Sequence, residues 1–177
     1  MRLFFALWPE PALRERLAAI AARWRQTCGG RPIAAEKLHL TLAFVGDVAP
    51  ARADALVAAT GALTIAPGRW RLTRAGHFPR GGIAWLGSRE ASPALGGLHQ
   101  RLAALGERHG GRPARVEPGF VPHVTLLRNA QRPPPEWPLA QEPSGLDWDY
   151  TTLALVHSTQ SEGRHRYVEL ARSATPR

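Results

Sequence analysis

Two well-separated segments of this chain share an unusual residue pattern. The first reads HLTL at residues 39–42 and the second reads HVTL at residues 123–126, each within an apolar run. Because side chains alternate between the two faces of a β-strand, each His shares a face with the Thr two positions later, and the apolar residues share the other face. We therefore predict two strands that each bury one face in a core and present a His and a Thr on the other.

The elements around these two segments follow the same order, which favours a divergent internal duplication. Apolar runs and helical spacing predict strand 2–8, helix 11–28 and strand 38–45 for the first copy. For the second copy they predict strand 83–87, a helix from Ser92-Pro93 to Gly110-Gly111, and strand 121–128. The remaining predicted elements are a helix at 51–62 and strands at 69–75, 149–158 and 165–171.

Length and cysteine content set the broad class of protein. A chain of 177 residues is the usual size of one domain, so we expect residues 1–177 to form a single domain. The one cysteine, Cys28, leaves no intramolecular disulfide, which is typical of a reducing cytoplasm. The apolar run at residues 3–8 is too short for a signal peptide or a membrane span. We predict a cytoplasmic monomer that does not contact membranes.

The net charge of +9 favours an anionic partner such as a phosphate ester or a nucleic acid. However, Lys37 is the only lysine among the 23 basic residues, and the arginines are scattered along a chain rich in Ala and Gly. GC-rich coding alone can produce that composition. The charge therefore agrees with a phosphate-bearing substrate without identifying one.

The motif inventory narrows the chemistry of the two His-x-Thr segments. A single copy is explained well enough by a half-exposed sheet with polar residues towards solvent, but two matched copies favour a shared site. The chain has no His-x-His, no His-x-x-x-His and no cysteine pair, and neither segment contains a carboxylate, so we expect no metal ion. It also has neither a phosphate-binding GxxxxGK[ST] loop nor a GxSxG nucleophile motif, and we expect no cofactor.

In-line displacement at a phosphorus atom is a reaction that two histidines can catalyse without a metal. The nucleophile must lose a proton on one side of the phosphate while the leaving oxygen gains one on the other side. Histidine can act as the base or as the acid near neutral pH. Thr hydroxyls beside the two imidazoles can donate hydrogen bonds to the charged oxygens of the transition state. The residues alone do not say which His is the acid.

These segments resemble the paired motifs of the 2H phosphoesterase superfamily, and more narrowly those of RNA 2′,3′-cyclic phosphodiesterases, also called 2′-5′ RNA ligases. The resemblance rests on RLFFALWP, EKLHLTLAFVGD, GHFP, AWLG, FVPHVTLLR and STQSEGRHRYVEL. It implies a bilobal α+β fold in which two pseudo-symmetric lobes, each an antiparallel sheet with outer helices, enclose the active cleft. It also implies metal-independent hydrolysis of the 2′,3′-cyclic phosphate at an RNA end to a 2′-phosphate.

The resemblance further implies a role for each residue of the two motifs. His39 corresponds to the proton donor for the leaving 3′-oxygen and His123 to the proton acceptor that activates water. Thr41 and Thr125 correspond to phosphate-binding hydroxyls.

Phe44 and Arg128, each five residues after its His, correspond to a base-stacking residue and a phosphate-binding residue. Strict alternation would turn both side chains away from the His face, so these roles require a strand end or a bulge. A core aromatic and a surface ion pair are the alternatives for Phe44 and Arg128, respectively.

Two other functions remain open at the level of the sequence. One is a 2′-5′ RNA ligase, which runs the reverse reaction with an RNA 5′-hydroxyl in place of water. The other is a non-catalytic module that binds RNA in a basic cleft, although such a module does not need two proton carriers. In all three cases the partner is an RNA or an oligonucleotide.

Overall fold

The computed structural model describes residues 1–111, 119–137, 145–161 and 164–176. The helices in these ranges are α1 (Pro11–Cys28), α2 (Pro50–Ala62) and α3 (Pro93–Arg108), and a 3₁₀ turn spans Ala35–Lys37. The strands are β1 (Arg2–Leu7), β2 (Arg31–Pro32), β3 (Leu40–Asp47), β4 (Gly68–Leu72), β5 (Arg74–Phe78), β6 (Ile83–Gly87), β7 (His123–Arg128), β8 (Leu146–Tyr150), β9 (Ala154–Ser161) and β10 (Arg164–Arg172). In the described part of the chain, no helix is long and apolar enough to cross a membrane.

Helices α1 and α3 begin at the predicted prolines, and α2 begins one residue before its predicted start, at Pro50. In α3 the Ser92 hydroxyl also caps the helix by accepting a hydrogen bond of 3.4 Å from the Leu95 N–H. Helix α1 ends at Gly29, whose φ of 71° lies in the left-handed region that glycine adopts without strain. These local signals explain why both long helices match the predicted ranges.

Seven of the strands form one antiparallel path, in the order β10-β9-β1-β3-β7-β6-β5, and β2 adds to β7. The halves of this sheet meet where β3 and β7 pair through Leu40 and Val124. Helix α3 packs against β3, whereas α1 packs against β7. One large core joins all three helices to one face of the sheet, and a small cluster (Phe4, Ala6, Ala154 and Val156) lies apart from it. The α+β class with antiparallel sheets and outer helices is thereby confirmed.

Two predicted strands are wrong, because each is two strands in different sheets. The 69–75 segment divides into β4 and β5, and the 149–158 segment contains parts of β8 and β9. Within the described ranges, strands β4 and β8 pair only with each other, through Trp70 and Trp148 among other residues, so the chain leaves the main sheet to form them. Alternation continues across such a change of partner, and the sequence pattern therefore does not reveal it.

Candidate active site

The single residue pair between β3 and β7 fixes the position of both motifs. Leu40 lies opposite Val124 in antiparallel register, and both side chains are buried. His39 therefore lies beside Thr125, and Thr41 lies beside His123. Side chains directly opposite each other share a face with Cβ atoms about 4.5–5.5 Å apart. All four polar groups thus lie together on the sheet face opposite the Leu40–Val124 core.

A local pseudo-two-fold axis through the Leu40–Val124 pair relates the two motifs. Rotation about this axis exchanges His39 with His123 and Thr41 with Thr125. The two copies also have the same connection order, since β1, α1 and β3 correspond to β6, α3 and β7. In both copies the outer strand pairs with the strand that carries the motif. The structure thus has the symmetry that an internal duplication predicts.

Each of the two imidazoles is oriented by a hydrogen bond to a backbone carbonyl two residues earlier. The Nδ1 atom of His39 lies 2.6 Å from the Lys37 carbonyl oxygen, and that of His123 lies 2.8 Å from the Val121 carbonyl oxygen. A carbonyl oxygen only accepts hydrogen bonds, so Nδ1 carries the hydrogen in both rings. The Nε2 atom is therefore the one that can take up or release a proton in each ring. The sequence did not indicate this shared tautomer.

Aromatic rings enclose His39. Its ring centroid lies 5.2 Å from that of Phe4, 5.1 Å from that of Trp8 and 5.3 Å from that of Tyr167. Burial lowers the pKa of His39 from 6.5 to about 4, although the hydrogen bond to Lys37 opposes this shift. The positive charges of Arg128 and His123 lower the pKa further, which places both residues within electrostatic reach of His39. In the absence of a ligand, His39 is therefore neutral at pH 7.

His123 has a different aromatic environment. The Phe78 ring meets it edge-on at 5.2 Å, and the Trp85 ring lies 5.9 Å away. Gly76 lies opposite Trp85 in the neighbouring strand, and a Cβ atom at that position would clash with the indole ring. The Arg74 guanidinium lies 5.9 Å from the Trp85 ring centroid, in cation–π geometry. Glycine at position 76 therefore leaves space for the indole that supports His123.

Both motif strands contain a β-bulge at the same position. In β3 the pairing passes from Thr41 to Ala43 and leaves Leu42 as the extra residue; in β7 it passes from Thr125 to Leu127 and leaves Leu126 as the extra residue. An extra residue reverses the alternation of the side chains that follow it.

The bulges are the irregularity that the proposed positions of Phe44 and Arg128 require. Phe44 lies opposite Phe4, a ring that also contacts His39, at a centroid distance of 6.3 Å. Phe44 is 61% exposed, so it is not a core aromatic. Arg128 is also exposed, and its charge acts on His39. Both side chains therefore lie on the sheet face that carries the His-x-Thr groups.

Comparison with known families agrees with this geometry. A family model described as "2′-5′ RNA ligase superfamily" matches residues 9–162, which is most of the chain. The chain belongs to the 2′-5′ RNA ligase superfamily. The expected relationship is thereby confirmed, and the motif strands β3 and β7 both lie inside the matched range.

Individual proteins and solved structures are similar to this chain over nearly its whole length. An RNA 2′,3′-cyclic phosphodiesterase from Escherichia coli (strain K12) is 35% identical over 183 residues, covering 98% of this chain and 96% of the relative. One from Thermus thermophilus is 32% identical and covers 89% of this chain and 82% of the relative. The crystal structure of E. coli LigT complexed with 3′-AMP has a TM-score of 0.80 at 33% identity, covering 97% of this chain and 95% of that one.

The aromatic residues around the two histidines were not predicted as part of the site. They are Phe4, Trp8, Phe78, Trp85 and Tyr167. Phe4 lies within the uninterrupted apolar run of β1, and such a run does not reveal which residues face the core. In the described ranges, no group of three or more His, Cys, Asp or Glu residues converges in a way that could hold a metal ion.

Proposed function

We propose that this protein hydrolyses the 2′,3′-cyclic phosphate at an RNA end to a 2′-phosphate, and that one chain does so without a metal or a cofactor. The observation that carries the proposal is the arrangement of two His-x-Thr pairs about the Leu40–Val124 pair on one sheet face. A phosphate between the two imidazoles has a proton carrier on each side. The names of the curated relatives support the same activity.

The reaction proposed here is an in-line displacement at phosphorus. The Nε2 atom of His123 removes a proton from water as the water oxygen attacks the phosphorus atom. The P–O3′ bond breaks, and the Nε2–H of His39 donates its proton to the departing 3′-oxygen. The products are a 2′-phosphate and a 3′-hydroxyl. His123 then holds the extra proton and His39 lacks one, and exchange with solvent restores the starting state.

The neighbouring side chains have matching roles in this proposal. The Thr41 and Thr125 hydroxyls donate hydrogen bonds to the non-bridging phosphate oxygens, and the Arg128 guanidinium balances their negative charge. Phe44, with its ring exposed on the same face, is positioned to stack on the terminal base. Crystal structures of E. coli LigT complexed with 3′-AMP and with phosphate support a site that accepts nucleotides and phosphate.

The lowered pKa of His39 places a condition on its role as the acid. In the free protein this imidazole is neutral at pH 7, because its pKa is about 4. A bound phosphodiester brings a negative charge next to the ring, and a nearby opposite charge favours the protonated form. Substrate binding is therefore the step that raises the pKa of His39 and supplies the acid with its proton.

The ligase remains the second candidate, and the superfamily description favours keeping it. In that reaction the 5′-hydroxyl of a second RNA replaces the water beside His123, and the same P–O3′ bond breaks to leave a 2′-5′ linkage. A binding-only module agrees less well with the structure, because binding does not require two imidazoles in the same fixed tautomer.

One assay distinguishes these functions. An oligonucleotide ending in a 2′,3′-cyclic phosphate is incubated with the protein and EDTA, with and without a second oligonucleotide that has a 5′-hydroxyl. Phosphorus NMR identifies the position of the product phosphate, and a denaturing gel detects a joined strand. We expect a 2′-phosphate product whose rate is unchanged by EDTA. Loss of turnover in EDTA with rescue by a divalent ion, or a 3′-phosphate product, would contradict the proposal.

A further inference from the structure

A side chain from α3 donates a hydrogen bond to the bulge of the first motif. Leu42, the extra residue of this bulge, has no partner residue in the β1 register. Its carbonyl oxygen lies 2.7 Å from the Nδ1 atom of His99. Because the carbonyl can only accept, His99 Nδ1–H is the donor. The imidazole thus bonds the strand where the alternation of side chains reverses.

In the second motif, a backbone N–H donates to the carbonyl of the extra residue, where the first motif has an imidazole. The extra residue of the second motif, Leu126, accepts a hydrogen bond of 2.8 Å from the backbone N–H of Ile33, just after β2. The two bulge carbonyls are equivalent under the pseudo-two-fold axis, yet one has a backbone donor and the other an imidazole donor. A substitution can remove the imidazole donor and leave its counterpart in place.

The orientation of the His99 ring is fixed by a second contact. It stacks face to face on Phe120 with a centroid distance of 4.4 Å and an interplanar angle of 5°. Phe120 lies in the segment that leads into the second motif, three residues before His123. His99 therefore contacts both copies: the bulge of the first and the approach to the second.

We propose that His99 is a positioning residue that maintains the bulge of the first motif and thereby directs Phe44 to the sheet face that carries the His-x-Thr groups. Without a donor, the Leu42 carbonyl no longer stabilises the bulge, and regular pairing of β3 with β1 becomes more favourable. In regular pairing Leu42 is no longer an extra residue, so Phe44 turns to the opposite face of the sheet. Helix α3 packs on the core side of β3, so His99 acts through the strand and not on the substrate. The effect on catalysis rests on the proposed function; the effect on the bulge does not.

A matched pair of substitutions tests this role. His99→Asn keeps an N–H donor near the position of Nδ1, whereas His99→Leu has a similar size and no donor; both remove the imidazole stack. A displacement of about 1 Å in a site can cost about 10²-fold in rate. We expect His99→Leu to lower kcat/KM on cyclic-phosphate ends by about 10-fold to 10²-fold, with His99→Asn close to wild type. Phe120→Leu measures the loss of the stack alone.

Amide hydrogen exchange provides a readout that does not depend on activity. We expect His99→Leu to speed exchange at Ala43 and Phe44, in the first bulge, while Leu127 and Arg128, in the second, stay as in wild type. His99→Asn should preserve protection at both bulges. The inference is overturned if the Leu and Asn variants behave alike, or if exchange changes equally at both bulges. If wild type itself has no turnover, the proposed function fails, and the exchange data still decide the role of His99.

Discussion

The two motif copies share a backbone arrangement and differ in the side chains around it. In both, the His Nδ1 atom donates to a carbonyl two residues earlier, and a bulge follows the Thr. The surroundings differ, however: Phe4, Trp8 and Tyr167 enclose His39, whereas Phe78 and Trp85 flank His123. The fifth residue after each His is Phe44 in one copy and Arg128 in the other.

This difference explains how a symmetric frame can serve an asymmetric reaction. In the proposed reaction, the shared backbone places one imidazole and one hydroxyl on each side of the phosphate, as in-line displacement requires. The reaction still needs one acid and one base, so the two imidazoles must differ in proton affinity. Burial among aromatic rings lowers the pKa of His39 to about 4 in the free protein, so the acid role proposed for this residue depends on a bound phosphate that favours the protonated ring. We therefore infer that the duplicated frame determines the geometry of the site, whereas the rings around His39 influence its protonation.

The strongest test of the comparison removes each histidine in turn. General acid–base groups contribute about 10²–10⁴-fold each, and groups that act as a unit are strongly non-additive. We expect His39→Ala and His123→Ala each to lose turnover on this scale, and the double variant to be little worse than the poorer single variant. Initial rates on an oligonucleotide with a cyclic-phosphate end measure the effect.

Thermal melting of the same variants is the control for a structural role. Both histidines lie on the sheet face opposite the Leu40–Val124 core and keep some solvent exposure, so their removal should leave the fold intact. If either alanine variant retains near-normal turnover but melts at a much lower temperature, that histidine supports the fold and the proposed pairing is wrong.

Substitution of the opposite faces of the same strands should have the reverse effect. Leu40 and Leu126 are both 0% exposed, and each lies one residue from a motif Thr. Leu→Ala changes at buried sites usually cost about 2–5 kcal/mol of unfolding free energy. We expect both variants to unfold at lower denaturant concentration while the folded fraction retains turnover. Loss of turnover without loss of stability would show that these leucines affect the site directly.

The sequence predicts the parts of this molecule that depend on local chemistry. The prolines at the helix starts, Gly29 after α1, and alternation in the motif strands locate α1, α3, β3 and β7 within a few residues. The positions of His39 and His123 on one face follow from that alternation and from the repeat. What the sequence does not contain is the partner of each strand, which is why β4 and β8 were merged with their neighbours.

The two bulges are a feature of the site that the sequence does not predict. The predicted roles of Phe44 and Arg128 on the His face required a strand end or a bulge, but nothing in the sequence identifies Leu42 or Leu126 as the extra residue of a bulge. The carbonyls of the two extra residues accept hydrogen bonds from distant segments, from Ile33 in one copy and from His99 in the other. No sequence pattern marks His99, because its partners Leu42 and Phe120 lie far away or outside any shared motif.

The smallest expected effect is the pH dependence of stability that the lowered pKa of His39 causes. The pKa of His39 is about 4 in the folded protein and 6.5 in the reference state. Between these values the unfolded chain binds a proton at this residue and the folded chain does not, so acidification favours unfolding. The stability is present above pH 6.5, declines as pH falls, and is lost below about pH 4. At about 1.36 kcal/mol per pH unit, the loss attributable to His39 approaches about 3 kcal/mol.

Urea unfolding of wild type and His39→Gln at several pH values measures this loss, because the glutamine does not titrate and the contributions of other groups cancel in the difference. We expect a clearly shallower acid decline for His39→Gln. Parallel declines would mean that the rings around His39 do not lower its pKa.

Addition of 3′-AMP should raise the pKa of His39 in an NMR titration of wild type, because the bound phosphate favours the imidazolium that the proposed acid requires.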